Sequence, residues 1–135
     1  MDVTLALDSP LTRDRPRVDR AQGKLAGARC ANCQTPSWPA RAVCFRCGSP
    51  SIMPETFSAT GTLVTFTSVF VPRPGLETPY TLGQIHLDDN GPVVFGHVRG
   101  LPKAATVPCT VRLGLAEEPD RTPWYWFEPD LDRLT

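Results

Sequence analysis

The stretch CANCQTPSWPARAVCFRCG, residues 30–48, holds two Cys-x-x-Cys pairs separated by ten residues. Each pair can curl two thiolates around one point, and two such turns complete a sulfur tetrahedron of the kind zinc takes in ribbons and knuckles. Cys30, Cys33, Cys44 and Cys47 are therefore the expected ligands of one structural metal ion. Iron suits the same four sulfurs. Zinc is preferred because nothing else in the sequence points to electron transfer. A closed four-cysteine site leaves no position for water, which argues against hydrolytic metal chemistry. Gly48 directly follows the second pair and can relieve backbone crowding. Trp38 and Pro39, in the intervening loop, are placed to shield the metal or to dock on a neighbouring module. With three prolines between residues 30 and 50 and little alternation, the segment cannot build an apolar core of its own. It needs another source of stability, and the metal supplies it.

Downstream the character changes. Residues 61–71, GTLVTFTSVFV, are rich in β-branched and aromatic side chains and read as a long strand. An irregular loop over 72–79 precedes a second strand, 80–87. Residues 88–91, DDNG, supply a hairpin turn in which Asn90-Gly91 adopts the positive-φ geometry. A third strand covers 93–99. After a connector over 101–108, with room for a helical turn, 109–115 and 124–128 make a fourth and a fifth. Five short strands within about 75 residues, the first long and curved, imply a small closed barrel, because closure removes exposed edges. The oligonucleotide/oligosaccharide-binding (OB) barrel has this size and strand number, and an SH3-like barrel has a similar count.

Upstream, Pro10 and Pro16 interrupt any long helix, and a short helix over 16–24 is expected, ending near Gly23 or Gly27. The organisation is thus an N-terminal arm over 1–26, a zinc ribbon over 27–53, an OB barrel over 54–129 and a tail over 130–135. No convincing internal repeat or low-complexity tract appears.

Fourteen basic residues balance fourteen acidic ones. That balance disfavours a dedicated binder of bulk nucleic acid. The charge is unevenly spread, however. The arm carries Arg13, Arg15, Arg17, Arg20, Lys24 and Arg29, while Glu117, Glu118, Asp120, Glu128, Asp130 and Asp132 crowd the other end. A solvated surface accounts for this; docking of the arm on a partner or anionic ligand is the sharper reading. No run is long and apolar enough to span a bilayer, and the N-terminus lacks the pattern of a signal peptide. Cysteine pairs of this type suit a reducing compartment, so a cytoplasmic location is expected.

Catalytic groups are scarce. Cys109 stands in an apolar strand and reads as a small buried hydrophobe. A nucleophilic cysteine would need a base and an orienting group, and only His86 and His97 are available. These lie on neighbouring strands where they could face each other, but a hydrogen-bonded or exposed sheet histidine is the expected description of both. Val64, Phe66 and Phe70 share one face of the first strand and read as barrel core. Residues 124–127, WYWF, should bury two aromatics and turn two outward. The outward pair would anchor a partner, enclose a ligand, or pack on the metal module or tail.

Gly23-Lys24-Leu25, Cys30 to Cys33, Pro39-Ala40-Arg41, Cys44 to Ser49 and the GTLVTFT of 61–67 together resemble the DUF35 family across roughly residues 15–129. The resemblance implies a helical arm, a rubredoxin-like zinc ribbon and a C-terminal OB barrel, with Cys30, Cys33, Cys44 and Cys47 as metal ligands. It also implies a role in acyl-CoA metabolism as a small partner of a thiolase-like or lipid-transfer-protein-like subunit. The partner would carry the catalytic residues for thiolysis, acyl transfer or retro-aldol shortening of steroid side chains. This chain would then be a non-catalytic subunit of a hetero-oligomer that stabilises the enzyme, shapes its channel or helps hold the CoA thioester. No catalytic residue is assigned to it. Two alternatives come from other classes: a zinc-ribbon/OB module that binds nucleic acid, and a stand-alone CoA-thioester-binding protein.

Overall fold

The computed structural model describes residues 17–118, 121 and 123–130. Among these residues nine strands form: β1 (Val18–Asp19), β2 (Lys24–Cys30), β3 (Pro36–Ser37), β4 (Ile52–Thr56), β5 (Thr60–Val69), β6 (Tyr80–Leu87), β7 (Val93–Val98), β8 (Cys109–Leu115) and β9 (Tyr125–Pro129). They divide between two compact units. One runs to Ser58 and includes Asp89–Pro92; the other takes Ala59–Asp88 and the chain from Val93 onward.

In the first unit β2 is central. It pairs antiparallel with β1, β3 and β4, with Val18 opposite Leu25, Ala28 opposite Ser37 and Cys30 opposite Ile52. Leu25, Ala28, Cys30, Cys44 and Phe57 are its buried hydrophobic side chains. The helix expected over 16–24 is not there. Among the described residues, 17–24 form a β-hairpin instead, because local polar groups favour a turn. The Asp19 carboxylate accepts from the Gln22 backbone N–H (3.1 Å) and side-chain amide (2.8 Å), and Gly23 closes the loop at φ 67°. An Asp side chain that bonds nearby backbone competes directly with helix. Most of the expected arm lies outside the described residues.

In the second unit the barrel closes in the order β5-β6-β7-β9-β8. The β7–β9 contact is parallel, with Val98 opposite Phe127, and every other pairing is antiparallel. A five-stranded Greek-key barrel of this kind is the OB architecture. Leu63, Ile85, Leu87, Val94, Val98, Val111, Leu113 and Phe127 alternate inward and form the core. A bulge at Val64 bends β5 between its pairing with β8 and its distal half.

Three details differ from the sequence reading, and a fourth decides between its alternatives for the histidines. The β6–β7 turn puts Asp89 and Asn90 at φ 61° and 60°, one position earlier than Asn90-Gly91. His86 stands opposite Val93, and His97 opposite Leu82, so the histidines do not face each other. Val64, Phe66 and Phe70 are exposed, Phe70 by 70%; the bulge and the end of β8 leave this half of β5 uncovered. Of the aromatics at 124–127 only Phe127 is fully buried, and the other three are half-buried with no outward pair. Arg99 covers Trp126 at 3.9 Å from the ring, and the Tyr125 hydroxyl donates to the Phe95 carbonyl at 2.6 Å.

Candidate metal centre

The two CxxC turns are built alike. Cys30 ends β2, and its N–H donates to the Thr35 carbonyl, while Gln34 N–H returns to the Cys30 carbonyl at 2.8 Å. In the second turn Cys44 N–H donates to Ser49, and Gly48 N–H returns to Cys44, both at 2.9 Å. The residue after each pair must enter the left-handed region to allow this: Gln34 at φ 67° and Gly48 at 79°. Glycine does so freely; glutamine does so at a cost. The relief expected at Gly48 is thus the actual backbone geometry.

The likeness has a sequence counterpart. CANCQTPS (30–37) and CFRCGSPS (44–51) share the pattern C-x-x-C-x-[T/S]-P-S. Eight residues are too short to register as a structural repeat, yet each unit makes one metal-facing turn.

The four Sγ atoms lie within 4.8 Å of one another. Cys30 and Cys47 are 3.6 Å apart, as are Cys33 and Cys44. Zinc–sulfur bonds of about 2.3 Å in a tetrahedron put the sulfurs roughly 3.8 Å apart. The donor set therefore fits a tetrahedral metal ion. N–H groups approach the same sulfurs: Cys33 to Cys30 Sγ (3.5 Å), Cys47 to Cys44 Sγ (3.5 Å) and Arg46 to Cys44 Sγ (3.3 Å). The Thr35 hydroxyl lies 3.1 Å from Cys33 Sγ, and the Asn32 amide donates to Cys47 Sγ at 3.5 Å. These contacts favour thiolate at Cys33, Cys44 and Cys47; at Cys30 the Cys33 N–H pulls the same way but is outweighed by burial and the neighbouring thiols, which raise its pKa. The Thr35 hydroxyl above all lowers the Cys33 pKa, the Cys47 N–H that of Cys44, and the Asn32 amide that of Cys47.

Arg29 braces the first turn. Its guanidinium grips Glu55 with both arms, at 2.9 and 2.7 Å, and donates to the Gln34 carbonyl at 2.8 Å. The Glu55 hydrogen bond also raises the Arg29 pKa. Trp38 donates its indole N–H to the Arg17 carbonyl at 2.8 Å, tying the loop between the turns to the β1 end of the sheet. Asn32, Thr35 and Gln34 were not singled out in the sequence, and Arg29 was read only as part of a basic docking arm, because ordinary polar residues gain this role only through the fold.

The remaining candidates stay apart from this centre. Cys109 starts β8 opposite Leu63, where burial raises its thiol pKa. No hydrogen bond joins it to His86 or His97 among the described residues. His97 stacks on Tyr80 at 5.3 Å between ring centres, and burial together with Arg99 lowers its pKa.

Two family models match in tandem. One, described as the ChsH2 rubredoxin-like zinc ribbon domain, covers residues 17–52; the other, the ChsH2 C-terminal OB-fold domain, covers 55–125. The chain is 36% identical over 81 residues to a DUF35 domain-containing scaffold protein of Pyrococcus furiosus. It is 31% identical over 78 residues to the benzoylsuccinyl-CoA thiolase subunit BbsA of Thauera aromatica. Each alignment takes in 58% of this chain, and only 58% and 54% of the relatives' own lengths. A solved structure described as the Ltp2–ChsH2(DUF35) aldolase superposes with TM-score 0.64 at 25% identity, over 85% of this chain and 98% of that one. A DUF35 protein of unknown function from Sulfolobus solfataricus shares the fold, with TM-score 0.57 at 17% identity, over 82% of this chain and 78% of its own. Ribbon, barrel and both matches agree: the chain belongs to the DUF35 family of zinc-ribbon/OB-fold proteins, relatives of thiolase- and aldolase-associated subunits.

Proposed function

We propose that this protein is a non-catalytic accessory subunit that docks on a thiolase-like enzyme acting on acyl-CoA. The observation that carries the reading is the tandem match of ribbon and barrel to one family whose relatives include a thiolase subunit, a scaffold protein and an aldolase component. The partner performs thiolysis, acyl transfer or retro-aldol cleavage, with a steroid side chain as one candidate substrate, and holds the CoA thioester. Cys30, Cys33, Cys44 and Cys47 bind one structural zinc ion. Four thiolate ligands complete its coordination, so its contribution is to hold the two turns together rather than to activate water.

We place the protein in the cytoplasm. All five cysteines are unbridged, which suits a reducing compartment. No helix among the described residues is long and apolar enough to cross a membrane.

Co-expression with the thiolase-like product of a neighbouring gene tests the reading. A stable complex with CoA-thioester activity is expected, in which the catalytic residues map to the partner. Two monodisperse proteins that do not associate would overturn it.

A further inference from the structure

The distal half of β5 is built as an interaction edge. On one side Val64–Val69 runs along β6, from Thr65 opposite Gln84 to Val69 opposite Tyr80. On the other side pairing with β8 stops at Leu63, opposite Cys109. No strand among the described residues covers the rest. Five successive residues, 64–68, are exposed, so both faces of the strand meet solvent. Phe66, Phe70 and Val71 are exposed by 38%, 70% and 69%. A two-stranded ribbon with bare faces is marginal in water.

Natural edges are usually guarded by lysine, proline or an inward charge. Residues 64–71, VTFTSVFV, contain none of these, and the first guards come only at Pro72 and Arg73. The bulge at Val64 bends the strand but leaves the edge beyond it regular.

The backbone shows which groups the edge presents. Asp88 N–H donates to the Thr60 carbonyl, and Leu113 N–H to the Ala59 carbonyl. In an antiparallel ladder the bonding direction alternates along each strand. On β6 the even-numbered residues therefore turn their groups toward β5. Past the bulge these stand opposite Thr65, Thr67 and Val69. Phe66 and Ser68 turn their N–H and C=O groups the other way, to the open edge.

We infer that this edge receives an extended, uncharged segment of the catalytic partner as an added antiparallel or parallel strand. Main-chain bonds at Phe66 and Ser68 would supply the register, and the Phe66 and Phe70 rings the apolar contact. Unpaired strand groups specify another strand, and a charge-free edge selects a charge-free one. The inference rests on the accessory-subunit reading above and adds where and how the partner binds.

Residue-resolved amide exchange on the full chain, alone and in complex with the thiolase-like subunit, tests it. The Phe66 and Ser68 amides should slow at least tenfold on complex formation, while those of Thr65, Thr67 and Val69, already bonded to β6, change less. Ser68→Pro removes one outward N–H and leaves the β6 bonds in place, since proline is tolerated at an edge. It should weaken partner binding at least tenfold with the zinc content and melting temperature of the isolated chain unchanged. Phe66→Glu should weaken binding similarly and does not depend on proline being accommodated. A wild-type complex with unchanged exchange at both amides, or variants that bind as well as wild type, would overturn the assignment while leaving the accessory role standing. Failure of the wild-type chain to form any complex would remove both. Protection that grows with concentration in the isolated chain, together with a dimer mass, would give the edge to a second copy and overturn the partner strand.

Discussion

Gln34 and Gly48 occupy the same place in two matching turns, and only one of them is glycine. A side chain in the left-handed region costs about 1–2 kcal/mol. Gly48→Ala should therefore destabilise the ribbon by about 1 kcal/mol. Gln34→Gly should change stability by less, because the strain it relieves is offset by added chain entropy and loss of the Gln34 bond to the Ala31 carbonyl. Chemical denaturation of the two variants followed by metal release checks the asymmetry. The four cysteines were legible in the sequence because their spacing is itself the chemistry. Thr35 and Asn32 were not, since a hydroxyl or amide near a sulfur becomes visible only once the turn is folded.

His97 belongs to the same scale. Its pKa is lowered by burial and by Arg99, so the folded barrel favours the neutral ring. Below the ordinary histidine value of about 6.5 the unfolded chain takes up the proton first. Stability conferred by this group is therefore complete above that pH and lost as pH falls toward the lower folded value. His97→Gln should flatten the pH dependence of barrel unfolding over that acid window, as read by thermal melts at several pH values.

At the scale of elements, two ion pairs hold strands in place. Arg29 and Glu55 link β2 to β4 with side chains exposed by 17% and 35%. Arg29→Ala should cost about 2 kcal/mol, as expected for hydrogen bonds to a charged group, and should weaken metal retention because the Gln34 carbonyl loses its donor. Competition with a chelator measures that loss. In the barrel, Asp130 is 3% exposed and accepts from Arg112 across β8 and β9. Arg112→Ala should destabilise the barrel by about 1–3 kcal/mol by leaving a buried carboxylate under-bonded, a shift that melting of the isolated chain would detect.

The barrel strands were readable because β-branched residues alternate there; the span Tyr80–Leu87 and the span Cys109–Leu115 match the expectation residue for residue. The ribbon strands were hidden. Lys24–Cys30, KLAGARC, has small residues where a strand usually shows large ones, since its neighbours pack close. A Cβ on Gly27 would run into the Ser37 carbonyl and the Phe57 ring. The helix expected upstream fails for a related reason: Asp19 and Gly23 encode a turn more strongly than the flanking residues encode a helix. Phe66 and Phe70 follow the pattern of core residues yet are exposed, because alternation marks a face without saying what covers it.

For the whole molecule, the ribbon has only a small apolar core of Leu25, Ala28 and Phe57. Two more of its buried side chains are cysteines of the candidate metal site, so folding of this unit is expected to depend on metal binding. The barrel has its own core of aliphatic side chains and Phe127. Metal removal should therefore unfold the first unit and leave the second folded. An accessory subunit that depends on both units for docking would then lose its partner even though its barrel persists.

The most direct test is zinc quantified on the gel-filtration peak of the co-expressed complex, for the wild-type chain and for Cys30→Ser and Cys47→Ser. One zinc per copy of this chain is expected in the wild-type complex, with joint loss of zinc and of the complex in both variants. Normal folding, metal content and assembly in both variants would contradict it.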